Sequence, residues 1–196
     1  EEYLTMKKIC LILLTGMIWA AFGCGGGAVE EAPPSATGAA DVPAAPETRV
    51  AVVVLSPTEG SQVEGEIRFE QSDGQVSVSG RVTNLTAGKH GFHIHEVGDC
   101  SAPDASSAGG HFNPHGTDHG APGMPPHHVG DLGNLEADES GVAEYQATLD
   151  FLTLHEGEAT SIIGKSVIVH ELEDDLTSQP TGAAGGRLAC GVIELQ

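Results

Sequence analysis

From Arg49 onward, apolar side chains recur at every second position, and turn-forming residues break the pattern every eight to twelve positions. A period of two sends alternate side chains to opposite faces of a strand and does not match the helical repeat. The alternation predicts strands at Val50–Leu55, Glu66–Gln71, Gln75–Asn84, His90–Val97, Val142–Asp150, Ser166–Glu171 and Arg187–Leu195. Ser56-Pro57, Ser72-Asp73-Gly74 and Glu139-Ser140-Gly141 supply the turns between them. The expected fold is all-β, seven or eight short strands in an antiparallel sandwich or barrel with Greek-key connections. Two long connections interrupt it, from Gly98 to about Leu135 and from Leu172 to Gly186. Loops of that length inside a compact domain usually carry function.

The preceding 48 residues read differently. Met6-Lys7-Lys8 opens a secretory pattern, and Ile9 to Phe22 is an apolar run of 14 residues, short for a membrane span. Ala21-Phe22-Gly23-Cys24 resembles a bacterial lipobox, although Phe22 is bulkier than the small residue usual there. Residues 1–24 are therefore expected to be a signal peptide with Cys24 as the lipidation site. Residues 25–48 are mostly Ala, Pro, Gly and Glu, too poor in large apolar side chains to offset the entropy of ordering, and read as a flexible linker. The domain proper is expected at 49–196. Its location is expected to be the periplasm or cell envelope, with no membrane contact beyond the lipid anchor.

Charge narrows the partners. Eight Lys and Arg stand against 28 Asp and Glu, a formal charge of −20, so no basic footprint exists for nucleic acid. The domain alone keeps six basic and 22 acidic residues, a formal charge of −16. Ten histidines in such a chain point instead to a metal.

Their spacing supports that. His93 and His95 sit two apart on a strand and share a face, which leaves Phe92 and Ile94 for the core. His111 follows in the first long loop, and His170 ends the strand Ser166-Val167-Ile168-Val169-His170. Four imidazoles, His93, His95, His111 and His170, suit Cu(II). An overlapping set, His111, His119, His128 and Asp131, has the spacing H-x7-H-x8-H-x2-D and suits tetrahedral zinc. His115 and His127 neighbour these ligands but miss the spacing. His90 is expected to hydrogen-bond backbone, and His155 to be solvated.

The segments GFHIHEVGDC, SAGGHFNPHG, HHVGDLGN, VIVHELEDDL and GGRLACGVI, in this order, resemble the signatures of the Cu/Zn superoxide dismutases, in the form found in exported bacterial members. The resemblance implies an eight-stranded antiparallel Greek-key barrel, with copper at His93, His95, His111 and His170, zinc at His111, His119, His128 and Asp131, and His111 bridging the two. It implies that Asp174 links a copper His to a zinc His, that Cys100 and Cys190 form a disulfide, and that Arg187 is the active-site arginine. It further implies dismutation of superoxide with copper cycling between Cu(II) and Cu(I) and His111 carrying a proton, in a monomer or a homodimer. The competing reading is a non-catalytic copper-holding or copper-delivering lipoprotein on the same barrel. Such proteins typically lack a copper His or the arginine, or carry an extra thiol motif; here all four His and Arg187 are present and no CxxC occurs.

Overall fold

The computed structural model describes residues 47–196. The expected signal peptide, Cys24 and all but the last two residues of the linker lie outside the described residues. The strands are β1 (Arg49–Pro57), β2 (Glu64–Ser72), β3 (Gln75–Thr83), β4 (Gly88–His95), β5 (Asp131–Ala137), β6 (Ala143–Leu149), β7 (Ser166–His170), β8 (Arg187–Val192) and the two-residue β9 (Glu194–Leu195). One 3-10 turn, Ser106–Ala108, accompanies them.

The strands run antiparallel in the order β5-β4-β7-β8-β1-β2-β3-β6, a nearly closed barrel. β1 joins its two halves: Arg49 to Leu55 pair with β2, then Ser56 and Pro57 turn to pair with Cys190 and Ala189 of β8. The connections β3–β4 and β6–β7 cross between non-neighbours, as a Greek key requires. The hairpin β2–β3 shows local sequence setting register. Asp73 and Gly74 both take positive φ, the two-residue turn whose twist matches the strands, and Ser72 pairs with Gln75.

Alternation fills the interior. Ala51, Val53, Ile67, Phe69, Val76, Val78, Phe92, Ile94, Val167 and Val169 are fully buried in one core. Each large side chain there contributes about 1.5–3 kcal/mol through burial. Gly80 on β3 leaves the space that Ile67 Cδ1 occupies, so a larger residue there would displace the core.

Two elements differ from expectation. The sequence pattern places Asp131 to Leu135 at the end of the first long loop, whereas those residues begin β5. Asp, Gly and Asn are poor strand formers, and Asp131, Leu132 and Gly133 are all buried in succession, so the expected alternation is broken where the strand begins. The last expected strand breaks at Ile193, and β9 pairs instead with Ala51 and Val52.

Candidate metal centre

β4, β5 and β7 bring the histidines together. His93 pairs with Ile168 on β7 and Asp131 on β5, with a bulge between Gly91 and His93. His95 forms a bridge with His111. The long loop returns to the barrel wall because Phe112 N–H donates to Ile94 O (2.8 Å), Ile94 N–H to Gly130 O (2.8 Å) and Gly130 N–H to Phe112 O (2.9 Å). Both faces of β4 are thereby covered: Phe92 and Ile94 by core, His93 and His95 by loop.

Among the described residues, two groups have ligand atoms all within 4.8 Å of one another: His93, His95, His111 and His170, and His111, His119, His128 and Asp131. All are at most 6% exposed. His111 belongs to both, its ring 4.0 Å from that of His93 and 5.4 Å from that of His119.

In the first group each imidazole spends one nitrogen on the protein. His93 Nε2–H donates to Asp174 Oδ2 (2.8 Å), His95 Nδ1–H to Gly109 O (2.9 Å), His111 Nδ1–H to Asp131 Oδ1 (2.9 Å), and His170 Nδ1–H weakly to Gly185 O (3.4 Å). These acceptors fix the tautomers. His93 Nδ1 and His111 Nε2 are left buried without a partner. His95 Nε2 and His170 Nε2 face each other at 3.4 Å. Burial holds His93 down to about 4, His95 to about 2 and His170 to about 3, so these three rings are neutral at pH 7. Lone pairs converging in a buried space call for a cation, and four imidazole nitrogens fit copper.

The second group converges on Asp131. Its Oδ1 accepts from His111 Nδ1 (2.9 Å) and His119 Nδ1 (2.9 Å) with His128 Nδ1 at 3.4 Å, while Oδ2 accepts from His128 N–H (2.7 Å) and Gly120 N–H (3.1 Å). Burial would raise its pKa, but these bonds outweigh burial and hold it far below the usual carboxylate range. Burial likewise opposes the charged form of His119, and the hydrogen bonds to Asp131 and Asp174 overcome it and raise that ring to about 9. Three imidazoles and one carboxylate fit zinc.

Asp174 ties the groups together, Oδ2 to His93 and Oδ1 to His119 Nε2 (2.9 Å). Three residues that sequence reasoning missed hold this link. Asn134 brackets the Asp174 backbone, accepting from its N–H (2.8 Å) and donating to its carbonyl (2.9 Å). Gln179 does the same for His119, at 2.8 and 2.9 Å. Gly182, at φ 65°, has no room for a Cβ against Asp174 Oδ1 and His119 Nε2. Asn134 and Gln179 lie 40 and 60 residues from their partners, and no local pattern announces them.

Cys100 and Cys190 are disulfide-bonded across 90 residues. The bond pins the first loop beside β8, where Arg187 Nη1 donates to Ala105 O (2.6 Å) and Nη2 to Gly109 O (2.7 Å). The remaining histidines stay outside both groups. His90 lies within β4, Nδ1 on His170 O (2.9 Å) and Nε2 beside Thr86. His127 packs edge-on against Phe151, His115 is exposed and His155 is half-buried.

Residues 63–193 match the family model described as copper/zinc superoxide dismutase. Superoxide dismutase [Cu-Zn] A of Xenopus laevis is 50% identical over 150 residues, which cover 73% of this chain and 95% of that protein. The extracellular superoxide dismutase [Cu-Zn] of Drosophila melanogaster is 48% identical over 147 residues, 71% of this chain and 80% of that protein. The barrel, the paired histidine groups and these likenesses agree: the chain belongs to the copper/zinc superoxide dismutase family, with superoxide as substrate and copper and zinc as cofactors.

Proposed function

We propose that His93, His95, His111 and His170 hold the copper and that His111, His119, His128 and Asp131 hold the zinc. The observation that carries this assignment is the set of buried imidazole nitrogens left without protein partners, which shares His111 with the group around Asp131. The reaction is 2 O2•− + 2 H+ → O2 + H2O2. Bound copper supplies the one-electron couple between Cu(II) and Cu(I), and bound zinc supplies fixed positive charge.

The chain's own residues do the rest. Arg187 spends two of its five N–H groups on Ala105 and Gly109, which orients the guanidinium and leaves the others to hold an anion. His111 presents Nδ1 to the group around Asp131, which fixes its ring, and its unpartnered Nε2 to the other three imidazoles, where it takes up and gives back a proton. Asp174 sets the ring planes of His93 and His119 together. The test is direct. Protein shown by elemental analysis to carry both metals should dismutate superoxide, and absence of activity in such protein overturns the reading.

The protein is exported in this reading. A disulfide persists in oxidising compartments, and one relative is named as extracellular. We assign residues 1–24 to a signal peptide lipidated at Cys24, 25–48 to a linker and 49–196 to the enzyme domain, held at the periplasmic or cell-envelope side. Cys24→Ser should move the protein from the membrane to the soluble fraction with specific activity unchanged. An unmodified N-terminal peptide on already soluble wild-type protein would refute the anchor.

A further inference from the structure

One peptide unit in the first long loop touches two proposed functional residues at once. The carbonyl of Gly109 accepts from both His95 Nδ1–H (2.9 Å) and Arg187 Nη2–H (2.7 Å). The N–H on the other side of that same peptide, that of Gly110, donates to Glu96 Oε1 at 3.1 Å. Glu96 also grips Gly110 through its backbone, its own N–H donating to Gly110 O at 2.9 Å. Lys165 anchors Glu96 in turn, donating from Nζ to its carbonyl at 3.2 Å while sitting over the Phe112 ring. Gly109 has φ 75°, and a Cβ there would run into the Glu96 carboxylate, so the close approach needs a glycine.

We infer that Glu96 is a positioning residue that holds and polarises the Gly109–Gly110 peptide, and through it orients Arg187 and strengthens His95 as a ligand. Hydrogen bonds in series through one amide reinforce each other. A carboxylate on the N–H makes the carbonyl a better acceptor, and that carbonyl then draws on the His95 Nδ1–H. The effect on the ring is that of a carboxylate bonded directly to a ligating His, which raises ligand basicity. His93 receives such a carboxylate directly from Asp174. His95 receives one at a remove of one peptide. The side chain of Glu96 is exposed, so the effect is smaller than for a directly bonded partner.

This inference rests on His95 being a copper ligand, and the test separates the two. Copper- and zinc-loaded wild type, Glu96→Gln and Glu96→Ala are compared for the midpoint potential of copper and for the affinity of azide, a small anion that reports on Arg187. Gln keeps an acceptor for Gly110 N–H and loses the charge; Ala loses both. A better donor at His95 favours Cu(II), so the potential should rise from wild type to Gln to Ala. Azide binding should weaken about three- to tenfold in Ala, below the tenfold to hundredfold typical of directly bonded partners. An Ala variant with wild-type potential and wild-type azide affinity overturns the inference. Failure of the wild-type protein to bind copper would instead overturn the ligand assignment itself.

Discussion

At the scale of single residues, Asp131 holds the most interactions together. It is the one anion among the proposed zinc ligands and the meeting point of three imidazoles. Asp131→Ala should weaken zinc about a hundredfold or more, since losing a ligand costs at least as much as losing the outermost hydrogen-bond partners of one, while copper keeps its four His. Full zinc by elemental analysis with unchanged thermal stability would show that the ligand assignment is wrong. Gly182 is a subtler case. Ala at φ 65° costs about 1–2 kcal/mol by backbone sterics alone, and its methyl would push Asp174 away from His119. Gly182→Ala should therefore lower the denaturation midpoint and weaken zinc about tenfold, read by chelator competition. Wild-type zinc affinity would show that the loop relaxes around the methyl. The two buried groups proposed to hold the metals were legible in the sequence because metal chemistry limits the residue types and spacing. Gly182, Asn134 and Gln179 were not, because each matters only through a partner brought close by the fold.

At the scale of elements, β5 shows where pattern reading stops. Its Asp131 and Asn134 face the site and are polar for that reason, so the strand lacks the alternation that betrayed β1 to β4. The hydrophobic pattern reports only burial against apolar core. The disulfide works at this scale too, joining the first loop to β8. Closing a loop of that length contributes on the order of 4 kcal/mol by chain entropy. The same loop carries Ala105 O and Gly109 O, the two acceptors of Arg187. Reduced and alkylated protein should therefore lose stability of that order and also lose activity per bound copper. Loss of stability alone, with full activity in the protein that remains folded, would show that Arg187 is held without the loop's tether.

At the scale of the whole molecule, a domain of formal charge −16 must admit an anion. The segment from Glu171 to Arg187 holds Glu171, Glu173, Asp174 and Asp175 and no Lys. The two lysines of the domain are engaged: Lys89 pairs with Glu173 at 2.8 Å, and Lys165 is bonded to Glu96 O over Phe112. Arg68 and Arg81 pair with Glu70 and Glu144, so among the side chains at the site attraction is left to Arg187, beside the charge of the bound metals. A unit charge ~6 Å from the anion is worth ~0.7 kcal/mol in water and ~3 kcal/mol at an effective dielectric of 20. Arg187 is half-buried, so its pull lies between these limits. The acids farther out are screened beyond ~10 Å at moderate salt. Arg187→Gln should lower the second-order rate constant about tenfold or more with both metals retained. Added salt should slow the wild type little or speed it, because screening removes more repulsion by the distant acids than attraction by one arginine held close to the reacting anion. A steep fall in rate with NaCl would mean that Lys89 or Lys165, despite their partners, builds a positive funnel, and this account of how superoxide reaches the site would be wrong.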